Sequence, residues 1–171
     1  MEVSCEIIQH SRLSNELLDR ICRLKDTIWP HGYDSQKHWI YNNIGENDFH
    51  LILLNDNRLV GYLNMVHRIF SINETDRIEM LGIGNVCVSK SHQKEGFGVR
   101  IVAKASEFLV ENDKQGALLC KESLIDFYAL NNWILAPPPH YGTKLKNIGG
   151  SLMTYNLVIK YNRIELLGEA F

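Results

Sequence analysis

Apolar residues recur at helical spacing from Leu13 to about Ile28, at Leu17, Leu18, Ile21, Cys22, Leu24 and Ile28, and Ser14 stands where a helix N-cap is expected. Trp29-Pro30-His31-Gly32 breaks this helix, and a shorter one is predicted around Gln36–Asn43 with Trp39 and Ile40 on its buried side. The period then changes. His50-Leu51-Ile52-Leu53-Leu54 reads as a strand, Asn55-Asp56-Asn57 supplies turn chemistry, and Leu59–Val66 reads as the returning strand of a hairpin. Val66–Ile72 forms a third strand or continues the second past a bend. Ile78–Val88 is a further strand holding Gly82 and Gly84, and glycine inside a strand marks a bulge or a close approach by a ligand or another backbone.

After Val88 a polar loop leads into a strong helix pattern, Val99, Ile101, Val102, Ala105, Phe108 and Leu109. Ala117–Cys120 is a short apolar strand, and Leu124–Leu130 a short helix carrying Phe127 and Tyr128. Trp133-Ile134-Leu135 restarts a strand that Pro137-Pro138-Pro139 ends, and Met153–Tyr161 is the last strand expected. The order helix, helix, strands, helix, strand, helix, strand, strand predicts an α/β chain with a mixed sheet and helices on both faces. With 171 residues and no repeat, low-complexity tract or Gly/Ser/Pro linker, a single domain over 1–171 is expected.

Charge narrows the partners. Eighteen basic against twenty acidic residues give a net charge of -2, so no broad basic field is available to a nucleic-acid backbone, and no nucleic-acid partner is expected. Cys5, Cys22, Cys87 and Cys120 form no C-x-x-C pair and have no matching His spacing, which suits free thiols in a reducing compartment and no metal. The segment Met1–Glu6 lacks the basic stretch and apolar run of a signal peptide, and no stretch reaches the roughly 18 apolar residues of a membrane span. A soluble cytoplasmic protein without a membrane partner is expected.

The chemistry concentrates in Val86-Cys87-Val88-Ser89-Lys90-Ser91-His92-Gln93-Lys94-Glu95-Gly96-Phe97-Gly98-Val99. A strand ends there, and a loop with two glycines enters a helix whose free backbone amides can hold a phosphate. Glycine at 96 and 98 lets the backbone approach an anion with no side chain between them. The loop is neither a Walker A sequence nor the dinucleotide fingerprint.

Gln93-x-x-Gly96-x-Gly98, preceded by Val86-x-Val88, resembles the pyrophosphate motif of the GCN5-related N-acetyltransferase (GNAT) family. Leu119–Trp133, containing Phe127-Tyr128 and Asn132-Trp133, resembles that family's later strand, its Phe-Tyr helix and its Gly-Phe/Trp segment. The resemblance covers roughly Phe49 to Trp133 well. It implies a mostly antiparallel central sheet whose fourth and fifth strands, near Ile83–Val88 and Ala117–Cys120, splay around a pantetheine arm. It further implies acetyl-coenzyme A as co-substrate, with the arm pairing to backbone of Val86 and Val88. Cys87 lies between them, amides from Gln93 through Lys94, Glu95, Gly96, Phe97 and Gly98 to Val99 hold the pyrophosphate, and Phe127 flanks the cofactor. Tyr128 is implied as general acid to the leaving thiolate, its ring facing the cleft while Phe127 is buried; the alternative is that Tyr128 packs in the core with Phe127.

Two departures from the family pattern stand out. Asn132 replaces a usual glycine, a mild change because Asn tolerates left-handed backbone. Gly82 and Gly84 occupy positions where relatives often carry a Glu or His base, so no base is supplied directly from there. Glu79 and Glu122 are the nearest acids, read as solvated or capping carboxylates or as bases acting through a water, Asn85 can orient a water or the acceptor, and His92 reads as a loop side chain. Trp29, Tyr33, Trp39 and Trp133 line an acceptor pocket or belong to the core. A thiol relay through Cys87 or Cys120 needs an activated thiolate, and no neighbouring His or Lys is evident for Cys87, so direct transfer is preferred. The expected activity is acetylation of a primary amine on a small molecule, with aminoglycosides as one sub-class, or on a peptide. A non-catalytic acyl-coenzyme A sensor on the same fold is the alternative, transfer to a hydroxyl or thioester stays open, and family habit leaves a homodimer open.

Overall fold

The computed structural model describes residues 2–136 and 150–171, so the Pro137-Pro138-Pro139 stop lies outside the described residues. The elements are β1 (Val3–Gln9), α1 (Asn15–Ile28), α2 (Tyr33–Asn43), β2 (Phe49–Asn55), β3 (Arg58–Ile72), β4 (Asp76–Val88), α3 (Phe97–Glu111), β5 (Gly116–Cys120), α4 (Ile125–Ala129), β6 (Ile134–Leu135), β7 (Ser151–Tyr155) and β8 (Ile164–Leu167). Hydrogen bonding orders the strands β1-β2-β3-β4-β5-β7-β6, with β8 on β3. The sheet is mixed and mostly antiparallel, with a parallel β4–β5 pair.

The chain divides into two compact units, Met1–Val66 with Gly84–Lys104, and His67–Ile83 with Ala105–Phe171; β3, β4 and α3 run through both. In the first unit, Ser14 caps α1 as its sequence suggests, its Oγ accepting from the amide of Leu17 at 3.2 Å. Leu18, Ile21, Cys22 and Leu24 are buried along one stripe of that helix. Asp56 and Asn57 are both left-handed (φ 47° and 62°), the conformation a two-residue hairpin turn requires between β2 and β3. β1 was not anticipated by the sequence pattern; it pairs antiparallel with β2 from Val3–Asn55 to Gln9–Phe49.

A file of polar side chains crosses this unit. His10 Nδ1 lies 2.8 Å from His50 Nε2, and His50 Nδ1 lies 2.8 Å from the Tyr62 hydroxyl. His50 is fully buried, and burial, helped by the charges of His10 and Lys25, pushes its pKa down to about 3. A base whose affinity for protons falls on folding contributes stability above its unfolded pKa of about 6.5, and loses it as pH falls toward 3. The loss amounts to roughly 4 kcal/mol. Thermal midpoints measured from pH 7 to 3 should therefore fall less steeply for His50→Gln than for the native chain. Parallel profiles would show that His50 does not govern the acid limb.

In the second unit, β4 pairs parallel with β5 over Leu81–Gly116, Gly82–Ala117 and Ile83–Leu118, and β5 pairs antiparallel with β7. Phe70, Ile72, Met80, Ala117, Leu152, Ile164 and Leu166 are buried together. One sequence expectation needs correction here, and one open alternative is resolved. The strand expected over Met153–Tyr161 stops at Tyr155, because Asn156 turns left-handed (φ 56°) and donates from Nδ2 to the Lys114 carbonyl at 3.0 Å. The chain then returns as β8, which pairs with the far end of β3 from Ile69–Leu167 to Ile72–Ile164. The segment Val66–Ile72 is the continuation of β3 rather than a separate strand.

Gly82 has a specific neighbour. A Cβ there would lie 2.4 Å from the Phe171 ring, whose segment is held where Arg68 donates to the carbonyls of Glu169 and Ala170 at 3.1 Å each. The close approach is made by a side chain of this chain, so a bulkier residue at 82 has to displace the ring.

Candidate active site

In the first unit, β4 holds a left-handed residue at Asn85 (φ 53°), which donates from Nδ2 to Asn64 Oδ1 at 2.6 Å. Val86 and Val88 beyond it are half-buried, while Cys87 between them is buried. The strand end is anchored by the Ser89 amide donating to the Val60 carbonyl at 2.7 Å. The loop is braced by Ser89 Oγ within 2.8 Å of His92 Nδ1 and by the His92 ring beside Phe97, so His92 is a loop side chain as its sequence context suggests. Gln93 Nε2 reaches back to the Val88 carbonyl at 3.3 Å.

The helix starts two residues earlier than its apolar pattern indicates. Arg100 donates its amide to the Gly96 carbonyl at 3.0 Å, which makes Gly96 the capping residue of α3. Lys94 (φ 68°) and Gly96 (φ 84°) are both left-handed, and a Cβ at 96 would meet nothing within 4 Å. The amides of Phe97, Gly98 and Val99 form the first helical turn, where no carbonyl of the helix can accept from them. Gln93, Lys94, Glu95 and Gly96 are exposed, and Phe97 is buried beneath the loop. Exposed glycine backbone followed by first-turn amides is geometry that suits a phosphate. Among the described residues no group of three His, Cys, Asp or Glu side chains is arranged to hold a metal, and no helix is long and apolar enough to cross a membrane.

In the second unit, Tyr128 follows Cys120 by way of the turn Glu122–Leu124 and α4. Its burial reverses the expected arrangement: Tyr128 is buried, and Phe127 is the half-exposed ring, packed edge-on at 4.9 Å. Burial, with a smaller contribution from Cys120, pushes the Tyr128 phenol up to about 12. Asn132 is left-handed (φ 62°), so it accepts the backbone that the usual glycine would supply. Glu79 is exposed and lies 3.5 Å from Lys114 and 3.9 Å from His67, an ion-paired surface carboxylate; Glu122 is exposed as well.

The four aromatics separate. Trp133 is core, its indole N–H donating to Ser106 Oγ at 3.0 Å, and the Tyr33 hydroxyl donates to the Asp19 carboxylate. Trp29 and Trp39 line a cavity of about 370 Å³ in the first unit, together with Lys25, His31, Gln36 and Asn85. Lys25 was missed by sequence reading. It lies seven residues after Leu18 and four after Ile21, on the apolar stripe of α1, and a lysine interrupting that stripe was the available signal. Lys25 also corrects the view that Cys87 has no basic neighbour, since its charge favours the Cys87 thiolate. Burial outweighs that effect and pushes the Cys87 thiol up to about 12, so this cysteine stays protonated and a thiol relay remains disfavoured.

The sequence model of the family described as acetyltransferase (GNAT) domain matches residues 10–135. No curated protein sequence matches the chain. Solved structures share its fold at low identity. An acyl-CoA N-acyltransferase from Pseudomonas aeruginosa is 16% identical, with TM-score 0.66 over 90% of this chain and 99% of its own. Escherichia coli ElaA is 18% identical, with TM-score 0.64 over the same shares. An aminoglycoside 6'-N-acetyltransferase complexed with coenzyme A is 14% identical, with TM-score 0.63 over 91% of this chain and 99% of its own. With the strand order, the capped glycine loop and a family match over most of its length, the chain belongs to the GNAT acetyltransferase family.

Proposed function

We propose that the protein is an N-acetyltransferase that moves the acetyl group of acetyl-coenzyme A to a primary amine of a small molecule or peptide. The observation that carries this reading is the left-handed Gly96 capping α3, which leaves an open, anion-accepting turn at the end of β4. Amides from Gln93 to Val99 hold the pyrophosphate, including those of Lys94, Glu95, Phe97 and Gly98. Backbone of Val86 and Val88, on either side of Cys87, pairs with the pantetheine arm, and Phe127 flanks the cofactor. The free amine attacks the thioester carbonyl, the carbon–sulfur bond breaks, and the departing thiolate takes a proton from Tyr128. Both units act as one domain over 1–171, in the cytoplasm, where four free thiols stay reduced.

With glycine at 82 and 84, the attacking amine loses its proton to water rather than to a dedicated side chain. Release of coenzyme A thiol, followed across a panel of primary amines and confirmed by mass of the product, tests the proposal. Turnover should depend on an amine, and Glu79→Gln and Glu122→Gln should each lower it only modestly. A loss of ~10²–10⁴-fold in either would instead identify a side-chain base. Coenzyme A binding without turnover for any amine would favour the sensor reading, which the glycines at 82 and 84 suit.

A further inference from the structure

The cavity of about 370 Å³ lined by α1, α2 and Asn85 holds a buried charge that no described residue balances. Lys25 is only 1% exposed, yet its ammonium forms no hydrogen bond or ion pair among the described residues. Its contact is the Trp39 ring, whose centroid lies 4.3 Å from Nζ. Trp29 and Trp39 supply flat apolar wall, and Gln36, whose Nε2 donates to the Trp29 carbonyl at 2.7 Å, fixes the turn that carries Trp29. Among the described residues no aspartate or glutamate lines the cavity. A buried ammonium without a counter-charge is costly, and a site that keeps one in place of a methionine or leucine is built to meet an anion.

We infer that this cavity binds the carboxylate of the acceptor, with the Lys25 ammonium as its counter-ion and the Trp29 and Trp39 rings against its apolar body. The ligand is therefore an amine that also carries a carboxylate, of amino-acid type. Calling it an acceptor rests on the acetyltransferase reading above; the carboxylate site itself does not. One cation without an arginine fork matches a single negative charge better than a phosphate dianion. Burial lowers Lys25 to about 8, so it is still mostly charged at neutral pH. Asn85 lines the cavity and immediately precedes Val86, so a ligand there abuts the strand proposed to pair with pantetheine. A polycationic aminoglycoside would add positive charge to a cavity that already holds one, and is disfavoured as acceptor.

The test uses the full chain without coenzyme A. Phenylalanine, leucine and β-alanine, each against its primary amide, are titrated while tryptophan fluorescence and thermal midpoint are followed. At least one carboxylate should bind ten times or more tightly than its amide. Lys25→Met and Lys25→Gln should abolish that preference while the coenzyme A thermal shift, measured separately, is retained in at least one of them as evidence of native fold. Equal binding of acid and amide, unchanged preference in the variants, or no binding of any carboxylate to 10 mM overturns the inference. Carboxylate preference without amine turnover leaves the site standing and removes the acetyltransferase reading. Turnover of amines without that preference does the reverse.

Discussion

Gly96→Asp should abolish the thermal stabilisation that coenzyme A gives the native chain, and lower affinity by ~10²-fold or more. Gly96 adopts φ 84° and caps α3 through the Arg100 amide, so its backbone stands at the opening of the first helical turn. A Cβ there meets nothing within 4 Å, and the fold therefore has no packing reason to fail; left-handed strain costs about 1–2 kcal/mol. The larger effect falls on the ligand. A carboxylate beside a pyrophosphate replaces attraction from first-turn amides with like-charge repulsion worth several kcal/mol. Gly96→Ala separates the two, since it keeps the strain and omits the charge, and it should lose far less affinity. Coenzyme A binding by Gly96→Asp at native strength, in calorimetry or thermal shift, would remove this loop from the binding site.

Tyr128→Phe should lower turnover by ~10-fold or more while leaving coenzyme A affinity and thermal midpoint nearly unchanged. The phenol sits in a buried environment that holds its pKa near 12, so it stays protonated across the neutral range, and its ionisation cannot shape the pH profile below about pH 11. A weaker acid delivers its proton less readily. The same desolvation raises thiols, however, as it does Cys120, and transfer depends on the difference between phenol and departing thiolate. Loss of one hydroxyl leaves the edge-on contact with Phe127 intact, so a purely structural role predicts almost no kinetic effect. Full activity in the variant, or a complex placing the phenol more than about 6 Å from the coenzyme A sulfur, makes Tyr128 a packing residue.

The longer elements were legible because their apolar runs are the residues they bury, along one stripe in α1 and on both faces in β2. α1 and β2 bury the residues their periods mark, and the α3 pattern from Val99 to Leu109 locates the helix body. What escaped was structure whose stability comes from distant partners. β1 is only half-buried along its length and owes its form to β2, some fifty residues away. The run Leu157-Val158-Ile159 reads as strand from composition, yet Val158 is 88% exposed once Asn156 has turned the chain. The glycine loop was legible because its chemistry is local: a few consecutive residues dictate the cap and its amides. The Lys25 cavity was not, because it is assembled from α1, α2 and β4, and a lysine on a helix is ordinarily assigned to solvent.

The β8–β3 pairing has a consequence for synthesis of the chain. Ile69–Ile72 acquires that partner only when Ile164–Leu167 has emerged, about 90 residues later. At roughly 5–20 residues per second, this end of β3 waits on the order of 5–20 s on the ribosome. During that interval Phe70 and Ile72, fully interior in the finished protein, belong to a strand with an open hydrogen-bonding edge. The nascent chain is thus exposed to aggregation, and open to chaperones, through side chains that are wholly interior in the native fold.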